Sequence, residues 1–245
     1  MSRLFDRERH KRYLALLLTE LAKAFPEKIA FKGGTCAYFF YNLPRFSFDL
    51  DFDMIRAFKE MDVDLFREIA ARHGQAKNFY DKANTLFCLF DYGKECPNIK
   101  IELNKRVWKN NVYKPVWFIG VPVSLADETT VLTNKLVALT DRKTAVARDL
   151  YDTWYFLKAG FTIHDALILE RTGKDTRAYL TEVAAFIKKT YTPRNVLHGL
   201  GDTRDEKQKA WAKEHLVAET IQEITRCRKI KISQWRIERI RRFPL

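Results

Sequence analysis

Three aspartates at alternating positions, Asp49, Asp51 and Asp53, mark the run Arg45-Phe46-Ser47-Phe48-Asp49-Leu50-Asp51-Phe52-Asp53. In a strand, residues two apart point to one side, about 6.6–6.8 Å from each other along the chain. The spacing therefore predicts three carboxylates on one face, with Leu50 and Phe52 packed into a core on the other. Such a row repels itself strongly unless a cation lies among its members. Hard oxygen ligands in this pattern suit Mg²⁺, which binds a few carboxylates together with substrate phosphates, with Mn²⁺ as the alternative ion. Upstream, Lys32-Gly33-Gly34-Thr35 offers the complementary chemistry. Glycine lets the backbone approach a phosphate closely, and amides at a helix start donate to it. Thr35 adds a hydroxyl donor. Together the two segments describe a nucleoside triphosphate held by its tail, with metal ions across its phosphates. Two such ions stabilise the attacking and leaving oxygens of an in-line displacement. Arg45 and Ser47 either steady the aspartates or touch the nucleotide.

The elements that must position these groups follow from periodicity. Residues 7–24 place Tyr13, Leu14, Leu17, Leu18, Leu21 and Ala22 at helical spacing, and Pro26 closes that helix. Ile29 and Phe31 alternate as in a strand until Gly33-Gly34 breaks the pattern, and Thr35–Tyr41 reads as a short helix. Ser47–Ile55 reads as the strand carrying the aspartates, and Val63–Arg72 returns to helical spacing. Leu86–Tyr92, Ile99–Lys105 and Val116–Val123 are short, β-branched or aromatic runs expected to join one sheet. After Ser124 the texture is helical, at about 126–141, 145–158, 163–171, 175–190, 205–226 and 233–241. Strands first and helices afterwards predict an α+β domain over residues 1–125 and a helical domain over 126–245.

Composition sets the class of partner. The chain has 245 residues, 44 Lys plus Arg against 31 Asp plus Glu, and a formal net charge of +13, which points to a polyanion. Residues 221–245 are the most one-sided: Arg226, Arg228, Lys229, Lys231, Arg236, Arg239, Arg241 and Arg242 face only Glu223 and Glu238, and Trp235 and Phe243 lie among them. Aromatic rings beside arginine can stack on unpaired bases; the same segment also reads as a solvated basic helix that packs its Trp. The longest uncharged runs, Gly33–Pro44 and Pro115–Ala126, are too short to span a bilayer. No apolar segment near the start resembles a secretion signal. The cysteines Cys36, Cys88, Cys96 and Cys227 form no CxxC pair, as expected of reduced thiols in a cytoplasmic protein. His10, His73, His164, His198 and His215 fall in no ligand spacing. The aromatic clusters around Phe39–Tyr41 and Tyr151–Phe156 have the spacing of core residues. GxxxxGK[ST] and GxGxxG are both missing, which argues against a P-loop or a dinucleotide fold.

The pairing of KGGT with LPRFSFDLDFD resembles the AbiEii/AbiGii toxin family, a branch of the polymerase beta-like nucleotidyltransferases. A second match runs through Lys135-Leu136-Val137-Ala138-Leu139-Thr140-Asp141-Arg142 and Arg148-Asp149-Leu150-Tyr151-Asp152, similar to that family's lysine and RDxxD segment. The resemblance covers roughly residues 28–158. It implies a polymerase beta-like core with a mixed sheet, followed by a helical domain. It also implies Asp49 and Asp51 as metal-binding carboxylates, with Asp53 beside them. A third acidic group is usual in the superfamily, and Glu102 in Ile99-Lys100-Ile101-Glu102-Leu103 is the candidate; the alternative is a surface glutamate paired with Lys100 on an edge strand. Lys135 is carried over as the residue that contacts the triphosphate and offsets charge on the leaving pyrophosphate. Asp149 and Asp152 share a helix face. One of them either orients Lys135 or takes the proton of an attacking hydroxyl, or both belong with Arg148 to an ion-pair lattice with Arg142 and Lys143.

The function so implied is Mg²⁺-dependent transfer of a nucleoside monophosphate from an NTP to an acceptor hydroxyl. RNA, above all the 3′ end of tRNA, is the expected acceptor. A cognate antitoxin is the expected neighbour, and the protein is expected to be a toxin. Two alternatives stand beside this: a same-fold enzyme modifying a small molecule or protein hydroxyl, and a non-catalytic RNA-binding protein.

Overall fold

The computed structural model describes residues 6–93, 96–142, 144–200 and 206–229. The chain divides into two compact units, Met1–Val107 with Val112–Asp127, and Trp108–Asn111 with Glu128–Leu245.

The first unit is built on a sheet of seven strands. Helix α1 (Arg7–Ala24) leads into β1 (Ile29–Lys32), α2 (Gly33–Phe40), β2 (Leu50–Met54) and α3 (Glu60–Arg72). Strands β3 (Gln75–Lys82), β4 (Thr85–Asp91), β5 (Ile99–Asn104), β6 (Tyr113–Phe118) and β7 (Val121–Ala126) complete it, in the order β3-β4-β5-β2-β1-β7-β6. The sheet is mixed: β2 runs parallel to β5 and β1 parallel to β7, and the other neighbours are antiparallel. Alternation divides its faces. Leu50 and Phe52 of β2, Leu86, Cys88 and Phe90 of β4, and Ile99, Ile101 and Leu103 of β5 are all fully or almost fully buried. α1 packs on β7 and α3, and α3 on β3 and β4. α1 brings Leu14, Leu17, Leu18 and Leu21 and α3 brings Phe66 and Ile69 into that core.

Three expectations for this unit need correction. The run Val116–Val123 is not one strand. Ile119 (φ 48°) and Gly120 (φ 71°) form a tight left-handed turn, and β6 and β7 pair across it as a hairpin. β3 carries no apolar alternation and was not expected. The aspartate strand is shorter than predicted, since Asp49 lies just ahead of β2.

The second unit is helical. It holds α4 (Glu128–Asp141), α5 (Ala147–Lys158), α6 (Asp165–Thr172), α7 (Thr176–Thr190), α8 (Glu206–Trp211) and α9 (Val217–Lys229). The single helix expected over 205–226 is interrupted by a π-helical turn at Ala212–Leu216. Trp108–Asn111 joins this unit through Glu170, whose carboxylate accepts the Lys109 and Asn110 amides at 2.8 and 3.0 Å. The helix expected at 233–241, with Trp235 and Phe243, lies outside the described residues, and so does Lys143. No helix among the described residues is long and apolar enough to cross a membrane.

Candidate functional site

The paired glycines sit directly on the aspartates. Gly33 opens α2 with φ +80°, a left-handed conformation that glycine adopts without strain. A Cβ there would overlap the carboxylate of Asp51 and come within 2.9 Å of its Cβ. A Cβ on Gly34 would lie 2.7 Å from Ser47 Oγ and 3.0 Å from Arg45 Nη2. No side chain at Lys32 caps the first turn of α2, so its leading amides suit an anion. Thr35 is fully buried, and its hydroxyl donates to the carbonyl of Asp49. Its place in the site is thus to hold Asp49 rather than to face a ligand. Arg45 is buried as well, close under Gly34.

Register brings the acidic groups together. Lys32 pairs with Asp51 across β1 and β2, and Asp51 pairs with Glu102 across β2 and β5. Residues opposite one another on paired strands share a face. Asp53 lies on that face too but is 1 % exposed. Its carboxylate is held by Lys32 Nζ at 2.5 Å, Asn104 Nδ2 at 3.0 Å and the Tyr113 hydroxyl at 3.2 Å. Asp53 therefore anchors Lys32, whereas Asp51 and Glu102 remain about a third exposed.

One residue that the sequence suggests only as a partner of Glu102 ties the rest together. Lys100 Nζ lies 3.1 Å from Glu102 Oε2 and 3.8 Å from Asp51 Oδ1, and its backbone amide donates to Asp49 Oδ1 at 3.3 Å. Burial pulls the Lys100 pKa down, but the carboxylates Asp51, Glu102 and Asp49 outweigh it and hold the ammonium above its ordinary value. Glu102 is paired with Lys100, as the alternative reading had it, yet β5 is an inner strand between β2 and β4, not an edge. Among the described residues, no three His, Cys, Asp or Glu side chains are gathered tightly enough to hold a metal ion by themselves. The donor chemistry nonetheless fits a hard divalent ion. Mg²⁺ takes one or two carboxylates plus substrate phosphates, and a cation, the Lys100 ammonium, already stands between Asp51 and Glu102. The KxE alternation was the available signal for Lys100.

The helical unit holds the second constellation. Lys135 of α4 reaches two carboxylates one turn apart on α5, Asp149 Oδ1 at 3.0 Å and Asp152 Oδ2 at 2.8 Å. Arg142 Nε lies 2.6 Å from Asp149 Oδ2. Both aspartates are at most 1 % exposed. Buried carboxylates between two cations serve to orient them; a proton acceptor for a substrate hydroxyl needs a face open to it. The geometry thus matches two of the three roles expected for this pair, orienting Lys135 and forming part of an ion-pair lattice with Arg142. Three of the histidines are packed or paired. His10 is fully buried between the Tyr92 hydroxyl (2.5 Å) and the Phe48 carbonyl (3.0 Å), His73 pairs with Glu20 at 2.6 Å, and His164 caps α6. Tyr151 and Phe156 are core residues.

Comparison with known proteins places the chain in a family and its fold beside two solved structures. Residues 16–216 match the family described as nucleotidyl transferase AbiEii toxin, type IV toxin–antitoxin system. The fold is similar to the crystal structure of JHP933 from Helicobacter pylori (TM-score 0.62, 18% identity, 96% of this chain and 97% of that one). It is also similar to a candidate nucleotidyltransferase from H. pylori (TM-score 0.63, 19% identity, 91% and 95%). No curated protein matches the chain.

Proposed function

Because the chain belongs to the AbiEii nucleotidyltransferase toxin family of type IV toxin–antitoxin systems, we propose that it transfers a nucleoside monophosphate from an NTP to a hydroxyl of an RNA acceptor, with the 3′ end of tRNA as the first candidate. The observation that carries this reading is the seat of Gly33 on Asp51. A phosphate-binding turn and an acidic strand are in contact, as a triphosphate bridged by cations requires.

Asp49, Asp51 and Glu102 are the residues that would hold Mg²⁺ or Mn²⁺. Such an ion supplies neutralisation of the phosphate oxygens and of the charge that grows on the leaving group. The leading amides of α2 bind the triphosphate tail, with Lys32 beside them. Ser47 and Arg45 shape the floor beneath Gly34, and Thr35 keeps Asp49 in place. In the helical unit, Lys135 is held in one rotamer by Asp149 and Asp152. The acceptor oxygen bonds to the α-phosphorus, the α–β phosphoanhydride bond breaks, and pyrophosphate departs while the hydroxyl gives up its proton to solvent water. The net charge of +13 supports a polyanionic acceptor over a cationic small molecule. A cognate antitoxin belongs with the family assignment.

Incubation with tRNA, Mg²⁺ and each labelled NTP in turn tests the reading. Label should appear in RNA together with pyrophosphate. Label appearing only in protein, or in no acceptor under any condition, contradicts it.

A further inference from the structure

The carboxylate face of the sheet continues past Glu102 into a pair of aromatic rings. Strand register links them in one row: Lys32 opposite Asp51, Asp51 opposite Glu102, Glu102 opposite Phe87, and Phe87 opposite Tyr80. Opposed residues share a face. All five side chains therefore stand on the side away from the buried Leu–Ile–Phe core. Tyr80 gets there through an irregularity. The β3–β4 register shifts between Lys77 and Tyr80, with Asn78 at φ 47°. Phe79 is the residue over whose ring Arg67 of α3 lies, at 4.2 Å. Tyr80 is left to stack on Phe87, ring centroids 4.5 Å apart and planes 5° from parallel.

Tyr80 covers the Phe87 ring from β3, and Glu102 is its register neighbour on β5. Phe87 is half-buried and Tyr80 is 37 % exposed. Lys82 Nζ lies 4.6 Å above the Tyr80 ring, a cation at the outer end of the row. Aromatic rings beside a lysine form the sequence-tolerant platform on which unpaired bases stack, with the charge serving the phosphodiester.

We propose that Phe87, backed by Tyr80 and flanked by Lys82, is the shelf on which the terminal base of the acceptor RNA strand stacks. The inference rests on the nucleotidyltransferase reading above, and in-line chemistry decides between the two nucleobases a transferase handles. The triphosphate tail belongs at Gly33-Gly34, on the β1 side of Asp51, and pyrophosphate leaves from that side. The attacking hydroxyl enters from the opposite side, over β5 and β4. Phe87 lies there, two strand spacings or roughly 10 Å from Asp51. The ribose of a base stacked on it reaches toward the carboxylates, whereas the base of the incoming NTP has no reason to cross the line of attack.

The test uses a short single-stranded RNA with a free 3′ hydroxyl and 2-aminopurine as its last base, whose fluorescence falls on stacking. Wild-type protein should quench it without NTP or turnover. Phe87→Leu keeps the apolar bulk but lacks the ring. It should lose the quench and weaken RNA binding roughly ten-fold or more, with NTP affinity unchanged, and Phe87→Trp should restore both. Tyr80→Ala, at an exposed position, should give a smaller loss in the same direction. Quenching and RNA affinity that are unchanged in Phe87→Leu overturn the proposal, as does a variant that loses NTP affinity and keeps RNA affinity. Wild-type quenching without label transfer to any RNA counts against the transferase reading alone. Label transfer with a quench indifferent to Phe87 counts against the shelf alone.

Discussion

Gly33 is packed so closely on Asp51 that a single added methyl group would overlap the carboxylate. This contact joins the paired-glycine turn to the acidic strand.

Gly33→Ala meets two penalties at once, a positive φ of +80° and the collision with Asp51. Loss of label transfer and a destabilisation of about 1–3 kcal/mol are expected. Gly34→Ala meets the far ends of the Ser47 and Arg45 side chains, at 2.7 and 3.0 Å, which can shift. It should be the milder of the two in both denaturant midpoint and rate.

Lys100 stands where Asp51 and Glu102 would otherwise repel each other, at 3.8 and 3.1 Å. Lys100→Gln removes the cation that a divalent ion must displace. Mn²⁺ binding to the nucleotide-free protein, followed by the paramagnetic signal of the free ion, should therefore become tighter by several-fold. Unchanged or weaker Mn²⁺ binding would separate Lys100 from the ion site.

Lys135→Met leaves Asp149 and Asp152 buried without their shared ammonium. Stranding buried charge costs about 3–5 kcal/mol, so chemical denaturation should show a large drop in stability along with loss of transfer. A variant as stable as the parent would mean the aspartates do not depend on Lys135.

His10 gives the pH dependence. Burial holds its imidazole pKa below the ordinary value, against a smaller raising effect of the Phe48 carbonyl. The unfolded chain takes up a proton near pH 6.5 while the folded one resists it. Below that pH the unfolded state binds more protons, so stability falls as pH falls. Unfolding midpoints at pH 7.5 and 5.5 should differ less in His10→Gln than in the parent.

Much of this was legible because alternation and glycine placement are local signals. Ile29, Phe31, Leu50 and Phe52 pointed to strands, and the Gly33-Gly34 break pointed to the start of α2. What was missed depends on partners distant in sequence. β3 owes its strand conformation to pairing with β4 rather than to an apolar face, so its polar, exposed residues carried no period. The β6–β7 hairpin was hidden because Ile119, a β-branched residue, occupies the left-handed position that turns usually give to Asn or Gly. At the site, residue types could nominate Asp49, Asp51, Asp53 and Glu102. Only side-chain contacts from Lys32, Asn104 and Tyr113 distinguish buried Asp53 from Asp51, left accessible, and only register sets Lys100 among the carboxylates.

Asp51→Asn gives the most direct test of the central claim, since it keeps the size of the side chain beside Gly33 and removes its charge. Purified variant and parent should show the same unfolding midpoint to within about 1 kcal/mol, and only the parent should move label from NTP to RNA with release of pyrophosphate. Undiminished label transfer by a folded Asp51→Asn protein would contradict the account.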